Sequence, residues 1–309
     1  MRLVPTGKAD TAIRPPGAAR WSVRKVPWVL AVPAVAAMVL IRFVPSAFGA
    51  MFAFTDWDGV GLRAGWNGVA NFRRIFADPI TSRALRNTFQ LTIMLVAIAN
   101  ALGIALALSL RAQLKSRNLI RALFFLPFAL SHLASGYIWQ FIFQYDGPLN
   151  RFLRVVGLDG WQRTWLADPT WSLYTILAVL VWQYTGLTLI IYLAGLEGIP
   201  SDLDDAAAMD GASRWLKFRR VTFPLLAPAI TVATTLTLIF GFSAFDQVLA
   251  LTGGGPVNST ETLATQVWRH TWTYGRYGYG SALALILAGV VATVAITQVT
   301  LLRYRESRL

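Results

Sequence analysis

Six apolar stretches run through this sequence of 309 residues, each close to the roughly 20 residues that a helix needs to cross a lipid bilayer. Inside a bilayer no water is present to satisfy open backbone N–H and C=O groups, so each stretch must be helical. The stretches lie at about 27–50, 87–110, 121–144, 172–195, 223–246 and 280–302. The sequence therefore predicts an all-α, polytopic membrane protein with six transmembrane helices in one domain, 27–302.

Composition favours a membrane location over a soluble one. Hydrophobic residues make up 55% of the chain and charged residues only 14%. A soluble domain could not bury so much apolar surface in one core, so membrane lipid must contact the remainder. The length alone would allow two soluble domains, but the regular spacing of the apolar stretches argues for one polytopic domain.

The positions of the basic residues predict the orientation of the helices. Two alternating sets of segments lie outside the predicted helices, and the first set holds about 17 Lys and Arg residues against about 10 in the second. Cytoplasmic segments carry the excess of positive charge in membrane proteins, so both termini are predicted to be cytoplasmic. The first set is 1–26, 111–121, 195–222 and 303–309, and the second is 51–86, 146–171 and 247–279.

The same placement explains the formal charge of +13 without a nucleic-acid partner. Residues 1–26 are then a cytoplasmic N-terminal tail, and residues 303–309 are a cytoplasmic C-terminal tail. The basic residues before Val26 could also begin a cleaved signal peptide. However, the apolar run that follows is longer than the apolar region of a signal peptide and includes Arg42, which favours a retained first helix.

Residues for catalysis or metal binding are scarce. The chain has no cysteine and two histidines, His132 and His270, which are far apart in sequence. Catalysis would need paired acids, a histidine with a carboxylate, or metal ligands at one depth in the membrane. We therefore predict no catalytic residue and no metal site, and we expect His132 to form a hydrogen bond within the helix bundle.

A transporter driven by an ion gradient is the nearest alternative. Such proteins usually carry carboxylates or cation sites within their membrane helices. Here the predicted helices are nearly free of charge, because Arg42 lies toward the outer end of the first one and Asp246 at the outer end of the fifth. A proton relay has no evident members in this sequence.

The segment 198–222, between the fourth and fifth stretches, is predicted to form a helix, a turn and a second helix. Pro200 ends what precedes it, and Ser201 with Asp204 forms the pattern of a capping box. Gly211 favours a turn because glycine tolerates the left-handed conformation at a helix C-terminus, and Ser213 caps the second helix. Physics alone also allows an amphipathic hairpin that lies on the membrane surface.

The order of residues in this segment points to a known family. Asp205-Ala-Ala-x-x-Asp-Gly211-Ala, followed by Val221-x-Phe-Pro224, resembles the EAA loop of binding-protein-dependent ABC importer permeases. Asp205 stands where the family often has glutamate, and Val221-x-Phe replaces a more usual Ile-x-Leu. Further motifs resemble the maltose-type carbohydrate branch of the same family: Phe52-x-Phe-Thr-Asp-Trp57, Gly68-x-x-Asn71-Phe, Asp78-Pro79, Asn87-Thr88, Phe125-Leu-Pro127, Gly136-x-x-Trp139, Thr252-Gly-Gly-Gly-Pro256 and Asn258-x-Thr260-Glu261.

This resemblance implies a type I ABC importer permease fold in the bacterial cytoplasmic membrane, and a chain without catalytic activity of its own. The implied partners are a second homologous permease subunit, two ATPase subunits and an extracytoplasmic solute-binding protein. ATP and Mg would be bound by the ATPase subunits, and this chain would hold no cofactor. The implied cargo is an oligosaccharide, a disaccharide or a glycerol-phosphate-like solute, moved by alternating access.

The resemblance also assigns candidate sites. The loop 198–222 would couple the chain to the ATPase, with Asp205 contacting an arginine there, and the coupling positions are Asp205, Ala206, Ala207, Asp210, Gly211 and Pro224. The positions that match a substrate pathway are Leu180, Gln183, Tyr184, Leu187, Phe240, Gly241 and Ala244. Trp182 is added to the candidates because its aromatic side chain suits a sugar. The aromatic and amide side chains among them suit a sugar, but packing within the bundle is an alternative role for each aromatic residue. Gly241 and Ala244 offer no side-chain hydrogen bond, which indicates weak sugar selection in the pore.

The glycines of Thr252-Gly-Gly-Gly-Pro256 predict a bend just outside the membrane, where another backbone can approach closely. Phosphate binding is disfavoured, because no Lys-Ser or Lys-Thr pair follows the glycines. Docking of the binding protein, shaping of a gate and simple turn formation remain open for this segment.

Overall fold

The computed structural model describes residues 31–61, 64–111 and 116–306, and regular secondary structure in these ranges is helical. One isolated antiparallel bridge joins Thr55 and Trp66. The chain divides into two compact units, one ending at Ala47 and one beginning at Phe48. The predicted tail 1–26 lies outside the described residues, as do residues 307–309 of the predicted C-terminal tail.

The described residues form fifteen α-helices. In chain order they are α1 (Val32–Met38), α2 (Val44–Phe52), α3 (Ala70–Ala77), α4 (Pro79–Ser109), α5 (Arg117–Ala129), α6 (His132–Ile142), α7 (Pro148–Val155), α8 (Ser172–Glu197), α9 (Ser201–Met209), α10 (Arg214–Lys217), α11 (Phe223–Leu225), α12 (Ala227–Phe242), α13 (Asp246–Thr252), α14 (Leu263–Trp268) and α15 (Tyr277–Glu306). Wider π-helical turns join α1 to α2, join α10 to α11 and follow α14.

Among the described residues, four continuous helical segments are long and apolar enough to cross a membrane, and two bent helix pairs bring the number to six if each pair is one span. The continuous segments are Val32–Phe52, Pro79–Ser109, Ser172–Glu197 and Tyr277–Tyr304. The bent pairs are α5 with α6, at 96°, and Arg214–Leu225 with α12, at 70°. The all-α polytopic prediction is confirmed.

The predicted stretches 121–144 and 223–246 were each expected to be one helix, and this was wrong. In the first, Pro127 lies near the end of α5, Leu130 is extended, and Ser131 caps the new helix α6 by accepting a hydrogen bond from the Ala134 amide. In the second, a proline within the first two positions of α12 removes a helical N–H donor. Both breaks keep the sequence apolar, so hydropathy alone does not show them.

Helix α8 forms the centre of the larger unit. It packs against α4, α5 and α12, and most of its side chains are buried. Polar side chains join these helices. The Thr188 hydroxyl donates to the Ala99 carbonyl at 2.8 Å, and the Tyr192 hydroxyl donates to Asn100 Oδ1 at 2.6 Å. Asn100 Nδ2 in turn donates to Thr237 Oγ1 at 3.0 Å. Such hydrogen bonds fix the relative register of α4, α8 and α12 where water is absent.

Gly186 allows the backbones of α8 and α5 to touch, because a Cβ atom at this position would overlap the Phe124 carbonyl. We expect Gly186→Val to destabilise the folded chain by roughly 1–3 kcal/mol through overpacking. A Gly289→Val variant is the matched control, because it lies within α15 and has no atom within 4 Å of its added Cβ. Thermal unfolding in nanodiscs, followed by tryptophan fluorescence, measures the difference. Equal midpoints for the two variants would contradict the close packing.

Candidate functional site

The connection between α8 and α12 is the helix, turn and helix that the sequence predicts. Helix α9 is followed by Gly211, whose φ of 68° is in the left-handed region. The Ala212 amide donates to the Ala207 carbonyl at 3.0 Å across this turn. Ser213 caps α10 by accepting a hydrogen bond from the Leu216 amide at 3.3 Å. The left-handed conformation of Gly211 therefore sets the angle between α9 and α10.

The predicted capping box at Ser201 and Asp204 was wrong. Pro200 occupies the cap position, and Ser201 is already the first helical residue. Asp204 instead forms ion pairs with Arg111 Nη2 at 2.6 Å and Lys217 Nζ at 2.9 Å. Arg111 follows the end of α4, and Lys217 lies in α10, so Asp204 ties α9 to two neighbouring elements. Arg111 is remote in sequence, and no local pattern pointed to this contact.

The other face of α9 is open to solvent in this chain. Asp205 is exposed and makes no ion pair within the described residues, and Met209 is 88% exposed. Trp215 of α10, the next helix, is 67% exposed. Large exposed apolar side chains next to a carboxylate are typical of a protein contact surface. Of the other predicted coupling positions, Ala206 and Asp210 are exposed, and Ala207 and Pro224 are half-buried.

Two of the predicted pathway residues, Tyr184 and Phe240, come together near the break between α5 and α6. The rings of Tyr184 and Phe240 stack with centroids 5.0 Å apart and an interplanar angle of 19°. The Tyr184 hydroxyl lies 3.3 Å from His132 Nε2, which confirms the hydrogen bond expected for His132. Phe128 packs against both stacked rings. These residues form one aromatic cluster between α5, α6, α8 and α12.

Gln183 lies beside this cluster and is fully buried. Its Oε1 accepts a hydrogen bond from Gln247 Nε2 at 2.8 Å, and its Nε2 donates to the Leu130 carbonyl at 3.5 Å. Gln247 belongs to α13, and Leu130 lies at the break between α5 and α6. The Gln183 amide therefore links α8 to α13 and to the break between α5 and α6. Sequence reasoning did not single out Gln247, because nothing local relates it to Gln183.

The remaining pathway positions make other contacts. Trp182 packs edge-on against Trp139 and lines an apolar groove. Gly241 permits close contact with α4, because an added Cβ would lie 2.9 Å from the Thr92 Cα. Ala244 is buried, and its carbonyl accepts from Thr262 Oγ1 at 3.2 Å. Leu187 packs against the hydrophobic core that contains Tyr184 and Ala244.

The glycine-rich bend after α13 is confirmed, and a buried ion pair holds it. Gly253 and Gly254 have φ values of 57° and 89°. Glu261 is fully buried, pairs with Arg269, and accepts a hydrogen bond from the Thr265 hydroxyl at 2.6 Å. Arg269 Nη2 also donates to the Gly253 carbonyl at 2.6 Å. The sequence showed Glu261 within a family motif but gave no sign of its partner.

Asn87 and Thr88 tie the beginning of α4 to this bend. Asn87 Nδ2 donates to the carbonyls of Ser259 at 2.8 Å and Glu261 at 2.9 Å. The Thr88 hydroxyl accepts a hydrogen bond from the Leu263 amide at 2.9 Å. These motif residues therefore build a scaffold at the end of the bundle opposite α9.

Comparison with known proteins agrees with this architecture. Residues 99–305 match the family model described as binding-protein-dependent transport system inner membrane component. The chain is 31% identical over 281 residues to the probable starch degradation products transport system permease protein AmyD of Thermoanaerobacterium thermosulfurigenes, covering 90% of this chain and 94% of that protein. It is 33% identical over 274 residues to the multiple sugar-binding transport system permease protein MsmF of Streptococcus mutans, covering 89% and 94%.

A solved structure shares the fold. The crystal structure of a bacterial ABC transporter involved in the import of the acidic polysaccharide alginate contains a chain that aligns with a TM-score of 0.79 and 22% sequence identity. The alignment covers 90% of this chain and 94% of that chain. The type I importer permease fold predicted from the sequence is therefore confirmed.

Proposed function

Because the chain belongs to the family of binding-protein-dependent transport system inner membrane components, we propose that it is a permease subunit that imports an oligosaccharide or disaccharide. The observation that carries the sugar assignment is the similarity, along most of the chain, to AmyD and MsmF, whose names assign them to sugar transport. The Tyr184 and Phe240 rings and the Gln183 amide are chemically suited to a sugar, which would reach them only in an open state of the pathway, because Gln183 and Tyr184 are buried in this structure.

The coupling mechanism rests on α9. An ATPase subunit docks on its open face, where Asp205 contacts a cation of the partner. ATP and Mg are held by that partner and drive its closure. Asp204 transmits the displacement of α9 to the end of α4 through Arg111 and to α10 through Lys217. Movement of α4 against α8 and α12 then switches the pathway between its two open states.

The assembly contains two permease subunits, two ATPase subunits and an extracytoplasmic solute-binding protein. This chain and a homologous permease form the membrane pathway as a heterodimer in the bacterial cytoplasmic membrane. Both termini and the loop 198–222 face the cytoplasm, as the positions of the basic residues predict. The bend at Thr252–Pro256 then faces the solute-binding protein.

The function is tested by purifying the tagged chain from its own host under mild conditions. We expect an ATPase and a second permease to co-purify. In nanodiscs with the solute-binding protein, one of maltotriose, lactose and glycerol 3-phosphate should stimulate ATP hydrolysis. A sugar is expected rather than glycerol 3-phosphate, because the names of AmyD and MsmF assign them to sugar transport. Transport by the chain alone on a proton gradient, with no co-purifying ATPase, would instead support the ion-driven alternative.

A further inference from the structure

A polar cavity of about 650 Å³ lies at the end of the bundle opposite α9. Its walls come from α3, the start of α4, the π-helical turn after α14 and the start of α15. The volume is within the range of small-molecule pockets, roughly 300–1,000 Å³. Helix α4 begins at this cavity and ends near Arg111, so about 45 Å of helix separates the cavity from the coupling loop. The cavity is distinct from the Tyr184 cluster.

Two buried polar side chains, Gln266 and His270, line the cavity wall. Gln266 is 2% exposed and His270 is 8% exposed. The Nδ1 atom of His270 has no hydrogen-bond partner within the described residues. The two residues are four apart on one helical turn, so both side chains reach the same side. Leaving a buried imidazole nitrogen unpaired is unfavourable, which indicates that a polar molecule in the cavity completes its hydrogen bonding.

The charges around the cavity favour a neutral ligand. Three carboxylates face three guanidinium groups, so the walls carry no net formal charge when His270 is neutral. Burial and the nearby Arg276 lower the pKa of His270, which keeps it neutral, although Asp78 acts in the opposite direction. A phosphate or an acidic sugar would require a cationic excess. The charged groups are Asp56, Asp58, Asp78, Arg74, Arg269 and Arg276.

The hydrogen-bonding and aromatic groups match a carbohydrate. Carboxylates accept, guanidinium groups donate, and the Gln266 amide does both, which suits hydroxyl groups that are donors and acceptors at once. Tyr274 is 52% exposed at the cavity and offers a ring face to the apolar side of a sugar. Tyr279 packs on His270 with ring centroids 4.3 Å apart and fixes the imidazole in place.

We propose that this cavity is a second carbohydrate subsite, which binds a neutral saccharide ring through Gln266, His270 and Tyr274 before the sugar enters the pore. The proposal rests on the proposed import function and on the outward orientation of this end of the bundle. Weak binding suits a transfer site, because the sugar must leave it again. The subsite would therefore receive sugar released by the solute-binding protein.

The test measures sugar binding to the permease and ATPase complex in nanodiscs, without the solute-binding protein. Maltotriose and lactose are titrated separately and binding is followed by saturation-transfer NMR, with glucose 6-phosphate as the charged comparison. We expect one neutral sugar to bind, and we expect Gln266→Ala to raise its Kd roughly three- to tenfold through the loss of one or two neutral hydrogen bonds. Tyr274→Ala should also raise the Kd. Because Tyr274 is half-exposed, this substitution should leave the fold intact.

Gln144→Ala is the matched control, because Gln144 is an exposed amide away from the cavity. Unchanged sugar binding in both cavity variants would overturn the proposal and leave water as the occupant. Preferential binding of glucose 6-phosphate would overturn the neutral class. Failure of the import function is recognised separately, since it would remove ATPase stimulation by sugar and binding protein from the unsubstituted complex as well.

Discussion

A Gly211→Val chain is expected to insert and assemble normally and to lose about tenfold or more of its sugar-stimulated ATP hydrolysis and transport. The φ of 68° at Gly211 is unfavourable for any residue with a Cβ atom and most unfavourable for a β-branched one. No atom lies within 4 Å of the added Cβ, so the effect is backbone strain rather than a clash. If α9 docks on an ATPase as proposed, relief of that strain turns α9 away from it.

The control for Gly211→Val is Gly157→Val. Gly157 has a similar φ of 76° and also has no atom within 4 Å of an added Cβ, but it follows α7 rather than α9. Both substitutions place valine at a positive φ, so the backbone strain is similar in the two variants. The docking role of α9 is supported only if Gly211→Val lowers sugar-stimulated ATP hydrolysis and Gly157→Val does not. Transport is measured in proteoliposomes, and the amount of assembled complex is measured by size-exclusion chromatography. Equal coupling in both variants would count against the loop as the ATPase contact.

Local chemistry was enough to predict the helix, turn and helix of residues 198–222, but not the ion pairs that attach it to the rest of the chain. Pro200, Gly211 and Ser213 act within a few residues of themselves, so their effect on the backbone could be foreseen. The ion pair of Asp204 with Arg111 joins residues from different helices, and only the packed fold brings them together. The sequence pattern therefore paired Asp204 with Ser201, whereas the structure pairs it with Arg111 and Lys217.

The sequence also could not show which of the candidate pathway residues on α8 face the same site. Neighbouring residues on a helix project about 100° apart, so a continuous run of candidates on α8 cannot all face one site. Tyr184 stacks on Phe240, whereas Trp182 points to an apolar groove next to Trp139. The apolar composition of α8 hides this difference, because its lipid-facing and protein-facing sides are both hydrophobic.

Breaks within spans were also invisible to hydropathy. A window of about 20 residues averages over Leu130 and over the start of α12, and both bends lie in apolar sequence. The breaks nevertheless shape the site, since the Leu130 carbonyl at one of them accepts the hydrogen bond from Gln183. Irregular backbone at membrane depth is tolerated where it is buried in protein or lines a cavity, so these bends favour a pathway at this level.

The second large effect is expected at the bend opposite α9, where Arg269→Met should destabilise the folded chain by about 3–5 kcal/mol. Glu261 is fully buried, and Arg269 is its ion-pair partner, so the substitution leaves a carboxylate without compensation. The Thr265 hydroxyl alone then donates to it. The same substitution also frees the Gly253 carbonyl, which loosens the glycine-rich bend.

A double variant separates the ion pair from simple loss of packing. Glu261→Gln combined with Arg269→Met removes both charges, so it should be clearly more stable than Arg269→Met alone. Together with Glu261→Gln alone, the variants complete a double-mutant cycle that gives the coupling energy. Arg151→Met, at an exposed arginine of α7, is the control and should change stability by less than about 0.5 kcal/mol. Denaturant unfolding of the chain in nanodiscs provides the free energies. If Arg269→Met proved no more harmful than Arg151→Met, the buried pair would not stabilise this bend, and the hydrogen bonds of Asn87 to Ser259 and Glu261 would remain to hold it.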